Sequence, residues 1–212
     1  VIESGDYQLG VDNMPDDIKS AREIALARAE AESREITAED RMRWKYTPEG
    51  EKLGARIIAG EEKLEEELGK WEEAARKYII QGTLSVLLTN ITLPLGKTEK
   101  EHSQKALDAV MVLKKDKGRV AQIVEQIRNL FEHYETQGNT QKNHAIEQLK
   151  TEYAQKLRQA IEQQLGSSAS GMVADVDNLP QFKEEKRRLI SQFDSQYIKL
   201  LNEYKEELKQ AG

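Results

Sequence analysis

Two stretches decide the fold: Val120–Tyr134, VAQIVEQIRNLFEHY, and Phe182–Leu208, FKEEKRRLISQFDSQYIKLLNEYKEEL. In the first, Val120, Val124, Ile127, Phe131 and Tyr134 recur in steps of three and four. That stripe resumes at Ala145, Leu149, Tyr153, Leu157, Ala160 and Gln164. In the second, Phe182, Leu189, Phe193, Tyr197, Leu200, Tyr204 and Leu208 keep mostly the same rhythm. Such spacing holds apolar side chains on one narrow helical face and leaves the others to Gln, Glu, Lys and Arg. The reading is all-α: shorter N-terminal helices packed with a long C-terminal coiled-coil helical hairpin.

Composition agrees. Charged residues make up 33 % of the 212, apolar ones 38 %, and only four are proline, a mix that suits solvated helices. The chain has no cysteine, which excludes disulfides, thiolate metal sites and cysteine nucleophiles. Residues 1–95 hold 13 Lys and Arg against 20 Asp and Glu, and residues 96–212 hold 19 against 18. Neither half is basic enough to announce phosphate binding, and the acidic half would be repelled by DNA or an anionic membrane. The longest uncharged run, Tyr78 to Gly96, has 19 residues but is broken by Gly82, Asn90 and Pro94, so it reads as a buried helix and not a membrane span. Residues 1–15 read as disordered upstream peptide, and Met14 as a plausible natural start.

Between these limits, residues 16–96 read as an N-terminal helical region and 97–212 as a long helical region with a loop at 166–178. Asp16 or Asp17 caps a first helix running to about Arg34. Thr37 caps a second, and Thr47-Pro48 opens a third that stops or bends at Gly60. A strong helix is expected from Glu61 to about Leu88, apolar all round after residue 79. Thr98 caps a helix starting near Glu99, and Lys114–Gly118 is a break. Leu179-Pro180 opens the last helix. Gly138-Asn139 leaves two alternatives: the 3.5-residue phase runs through it, favouring one continuous helix, yet Gly-Asn is also a turn signal that permits a hairpin there.

A helix over 119–165 would be about 70 Å long and one over 181–211 about 46 Å. Paired antiparallel, they leave roughly 24 Å of the longer seam to be covered by helices 61–90 and 99–114 or by a second copy. The expected helix–helix interface comprises Val124, Ile127, Phe131, Tyr134, Leu149, Tyr153, Leu157, Phe182, Leu189, Phe193, Tyr197, Leu200 and Tyr204.

Signals that look chemical are weak. Gly96-Lys97-Thr98 resembles the end of a phosphate loop, but Ile91 stands where the motif needs glycine. Glu99 and His102 have the spacing of two metal ligands on one helical face, but a di-iron bundle needs a second pair, which His133 and His144 do not supply. Trp44, Tyr46 and Trp71 could line a ligand pocket, although packing between helices explains them better. No catalytic, cofactor or metal residue is therefore assigned, and the chain is not expected to be an enzyme. The leading expectation is a non-catalytic structural or adaptor protein acting through helix–helix association, as a homo-oligomer or with an unidentified protein partner. The alternative is nucleic-acid association through the basic groups at 114–119 and 183–188.

Four blocks, Ile18-Lys-Ser-Ala-Arg-Glu-Ile-Ala25, Tyr46-Thr-Pro-Glu-Gly-Glu-Lys-Leu53, Asn90-Ile-Thr-Leu-Pro94 and Leu130-Phe-Glu-His-Tyr134, together resemble an uncharacterised family of small bacterial all-helical proteins. The resemblance spans about residues 16–165. It implies a bacterial cytoplasmic protein and agrees with Met14 as the start, and it supplies no activity, cofactor or site residue.

Overall fold

The computed structural model describes residues 36–165 and 175–211, all of them helix or connector. The expected upstream peptide, the first helix and loop residues 166–174 lie outside these. The chain forms two compact units, Val1–Arg41 and Met42–Gly212, so the boundary expected at 96/97 falls inside the second. In the first unit, Thr37 and Asp40 cap each other. The Asp40 N–H donates to the Thr37 hydroxyl (3.1 Å), and the Thr37 N–H donates to the Asp40 carboxylate (3.2 Å).

Helix α1 spans Ala38–Ala59 and runs straight through Pro48, where a separate start was expected. Trp44, whose carbonyl loses its in-helix donor to the proline, is 62 % exposed, so water can take that bond. The helix stops at Gly60 (φ +82°). There the Gly60 N–H donates to the Ile57 carbonyl and the Glu61 N–H to the Arg56 carbonyl, the paired bonds of a Schellman stop.

The single helix expected over 61–88 is two. Helix α2 is Leu64–Leu68 and α3 is Glu73–Asn90, with a break between. Gly69 weakens the helix there, the Trp71 ring meets Tyr46 edge-on at 6.0 Å, and Arg76 donates to the Trp71 carbonyl (3.0 Å). Nor is α3 buried all round. Ile79, Thr83 and Leu87 are fully enclosed, whereas Gln81, Ser85 and Thr89 face solvent. Helices α1 and α3 cross with their backbones almost touching: a Cβ on Gly50 would run into the Ile79 carbonyl, and one on Gly82 into the Thr47 carbonyl. Thr83 ties the crossing by donating its hydroxyl to the Gly50 carbonyl (2.9 Å).

Helix α4 is Lys97–Leu113. It begins before the expected position, with Gly96 at its N-cap and no side-chain cap, so Thr98 does not cap it. The buried Ser103 instead fastens the preceding connector, accepting from the Thr92 N–H (3.0 Å) and reaching the Asn90 carbonyl (3.2 Å). Helix α5, Lys117–His133, starts on Asp116, whose carboxylate accepts from the Arg119 N–H (3.0 Å).

The alternatives at Gly138 resolve into one continuous helix with a defect. Tyr134–Gly138 forms a π-helical turn, and α6 continues without a break from Asn139 to Leu165. Side chains help the backbone through it: Thr136 donates to the Glu132 carbonyl (2.7 Å) and Thr140 to the Thr136 carbonyl (2.9 Å). A short 3-10 turn, Val176–Asn178, leads into α7, Pro180–Gln210, with proline at its first position.

Helix α7 runs antiparallel to α6 and α5. Phe182 meets Tyr153 near one end, and Lys114 donates to the Ala211 carbonyl (2.6 Å) at the other. The closed core lies at this second end, where Val120, Val124, Ile127, Leu107, Val110 and Leu208 are shut off from solvent. Among the described residues no helix is long and apolar enough to cross a membrane.

Candidate functional site

The two stripes meet each other. Val124, Ile127, Phe131, Tyr134 and Phe182 are buried, whereas Leu149, Tyr153, Leu157, Leu189, Phe193, Tyr197 and Tyr204 are half-buried. Leu200 departs from the expectation: it is 36 % exposed, and its neighbour Leu201, 3 % exposed, occupies the seam. From Tyr197 the inward face of a regular helix is reached four residues on, not three.

Most of the surplus length lies at one end. The continuous helix comprises 17, 5 and 27 residues (α5, the π turn and α6), roughly 73 Å at 1.5 Å per residue, against about 46 Å for the 31 residues of α7. Phe182, near the start of α7, meets Tyr153, so about 18 Å of that excess, the stretch of α6 beyond Tyr153, lies at the tip. Helix α4 packs on α5 beneath the paired part and does not cover that excess. The main described neighbours of α6 are α7, the π turn before it and the 3-10 turn that leads into α7. This distal half of the hairpin is only two helices thick. Beside its seam runs an open groove of about 320 Å³, floored by Ala145, Leu149 and Leu189 and walled by Gln148, Glu152, Glu185, Arg188 and Gln192.

Where the closed base gives way to this arm, the π turn sits inside a polar cluster. The Tyr134 hydroxyl donates to Asp194 Oδ1 (2.8 Å), and Lys142 Nζ donates to the Tyr134 oxygen (3.0 Å) while lying 3.4 Å from Asp194. Lys142 and Asp194 are only 14 % and 17 % exposed. Tyr197 stacks edge-on against Tyr134 at 5.0 Å, bonds His133 Nδ1 through its hydroxyl (3.0 Å), and sets that oxygen 2.6 Å from where a Gly138 Cβ would be. Burial works against the Lys142 charge, but the Tyr134 hydroxyl and the Asp194 carboxylate outweigh it and raise its pKa. Burial also pushes the Tyr134 phenol up.

This cluster is hidden in the sequence, because Tyr134 and Lys142 are eight residues apart. In a regular α-helix that spacing separates them by about 80°. The π turn takes up one residue and returns them to one face. The visible signal was the gap between Tyr134 and Ala145, a seam interval without apolar residues that contains a lysine.

The residues weighed for other chemistry are mostly occupied. Lys117 donates to the Met111 and Val112 carbonyls and Lys114 to those of Lys209 and Ala211, so both cap helix ends. In the second basic group Arg188 pairs with Glu184 (2.5 Å), Lys183 donates to Asn178, and Lys186 lies over the Phe182 ring. Trp44 stands away from the Tyr46–Trp71 pair, exposed to solvent. Among the described residues no group of three or more His, Asp and Glu is placed to hold a metal ion.

These features define an all-helical protein built on an unequal hairpin: one long helix, a shorter one folded back along it, and a base of smaller helices at one end. The chain belongs to a family of unknown function, DUF6657, whose model matches residues 65–210. That match leaves out the blocks at 18–25 and 46–53 and extends through α7, beyond the resemblance drawn from sequence. No curated protein and no solved structure matches the chain.

Proposed function

We propose that this chain is a non-catalytic structural or adaptor protein that works through helix–helix association, with the distal arm of the hairpin as its contact surface. One observation carries the reading. Stripes that are closed at the base are half-exposed along much of the arm, at Ala145, Leu149, Tyr153 and Leu157 on α6 and at Leu189 and Phe193 on α7, with Ile146 and Ile190 half-exposed beside them and Phe182 alone buried against Tyr153. Contiguous apolar surface rimmed by polar side chains is the mark of a protein contact. The capping and pairing of the 114–119 and 183–188 groups argues against using them on phosphates.

Photo-crosslinking tests the reading. A benzophenone side chain placed at Gln148 or Gln192, in the cells that make the protein, is expected to give discrete adducts. The same probe at Gln122, on α5 away from the arm, is expected to give none. No adduct at either arm position in a folded, expressed protein overturns the reading.

A further inference from the structure

We infer that the arm groove receives the same groove of a second copy, the two arms lying antiparallel about a two-fold axis and closing a four-helix bundle; this rests on the reading of the arm as a contact surface.

The rim selects the partner. Along the groove Arg188 and Glu185 stand about one turn apart on α7, with Glu185 nearer the tip, while Glu152 faces them from α6 and Gln148 and Gln192 are neutral around them. Both signs on one wall, one turn apart, make a surface complementary to itself. A two-fold axis crossing the groove between the two levels sets each Arg188 opposite the other copy's acidic pair. Parallel arms would bring Arg188 only to the level of the other copy's Arg188 and lay Glu185 over the other copy's Glu152, which like-charge repulsion opposes. The floor fits this use. Ala145 is small enough to admit a neighbouring helix, and Leu149 and Leu189 are the apolar knobs it offers. An isologous contact of this kind is the commonest route to a dimer, and it supplies the thickness that the arm lacks alone. Arg188 is also bonded to Glu184 on its own helix, but that pair is solvent-exposed and leaves guanidinium donors for a second acceptor.

Light scattering on the full chain at micromolar concentration is expected to give twice the 24.2 kDa of one chain. Arg188→Glu makes the wall all acidic, and Glu152→Lys with Glu185→Lys makes it all basic. Each variant alone is expected to halve the mass with helicity unchanged by circular dichroism, and an equimolar mixture of the two is expected to restore it. All three positions are exposed, and the circular dichroism checks that the hairpin keeps its fold when Glu185, which Tyr153 bonds across it, is replaced. A native chain that runs as a monomer overturns the inference, as does a dimer that neither variant disturbs. Photo-adducts with a different protein on a monomeric chain overturn it while leaving the arm a contact surface, and absence of all adducts removes both.

Discussion

At the scale of single residues, Lys142 and Asp194 are the most exacting feature of the hairpin. Each is nearly enclosed, and each depends on the other and on Tyr134. Asp194→Leu leaves Lys142 buried without its acid and is expected to cost about 3–5 kcal/mol in a urea titration. Adding Lys142→Met to that variant is expected to recover most of the loss, because a well-packed apolar pair removes the stranded charge. The pH dependence follows from the directions of shift. Lys142 and Tyr134 both hold their protons more tightly in the folded chain, so their contribution is whole below their ordinary values of 10.5 and 10.0 and fades as pH rises through the raised folded values. Lys205 runs the other way: burial lowers its pKa, so the stability linked to it grows as pH climbs from that lowered value to 10.5. Urea midpoints measured from roughly pH 9 to 11.5 are therefore expected to fall less steeply in Tyr134→Phe, Lys142→Met than in the native chain. Gly138→Ala adds a methyl group where the Tyr197 hydroxyl stands and is expected to lower stability, but to raise it by up to about 1 kcal/mol when Tyr197 is leucine.

At the scale of elements, the features legible in the sequence and those hidden from it divide by whether a regular period applies. The stripes, the Gly60 stop, the Pro180 start and the break before α5 obey local rules that a single chain displays. The break at Gly69–Glu72 did not show, because Leu64, Leu68, Trp71 and Ala75 keep helical spacing across it, and Gly69 interrupts the chain only together with the Trp71–Tyr46 contact from another helix and the Arg76 bond to the Trp71 carbonyl. Thr98 has the spacing of a cap without acting as one, because Ser103, eleven residues beyond Thr92, holds the connector that a cap would have ordered. The π turn is one residue inserted into an α-helix, so deleting one there restores α periodicity without rotating α6. Deleting Gln137 is expected to leave a folded protein with a modest drop in melting temperature. Deleting the exposed Asn129 from α5 turns the whole of α6 by about 100° and is expected to abolish cooperative melting. If both deletions behave alike, the turn is not what sets the phase.

At the scale of the whole molecule, the length mismatch was legible by counting residues, and its position was not. The bonds from Lys114 to the end of α7 and the Tyr153–Phe182 contact together place most of the surplus at the tip. The interface residues divide the same way: the sequence marked the stripes, while which parts close and which stay half-open depends on where α3 and α4 pack. Asp177 pins the turn before α7 to Lys150 (2.5 Å), which holds its carboxyl below the usual 3.8. Its contribution is present above that pH and is lost as pH falls through the lower folded value, so Asp177→Asn is expected to flatten the acid limb of a stability profile measured by circular dichroism.

The antiparallel course of α7 also orders events in time. Its polar ties span 27 residues at Lys150–Asp177, 60 at Tyr134–Asp194 and 97 at Lys114–Ala211. Closing a shorter loop costs less entropy and happens sooner, so the hairpin is expected to zip from tip to base. The Lys142–Asp194 pair then lies midway along that course, where a helix slipped one turn toward the tip would set Asp194 beside Ala145 and Ile146 in place of its lysine.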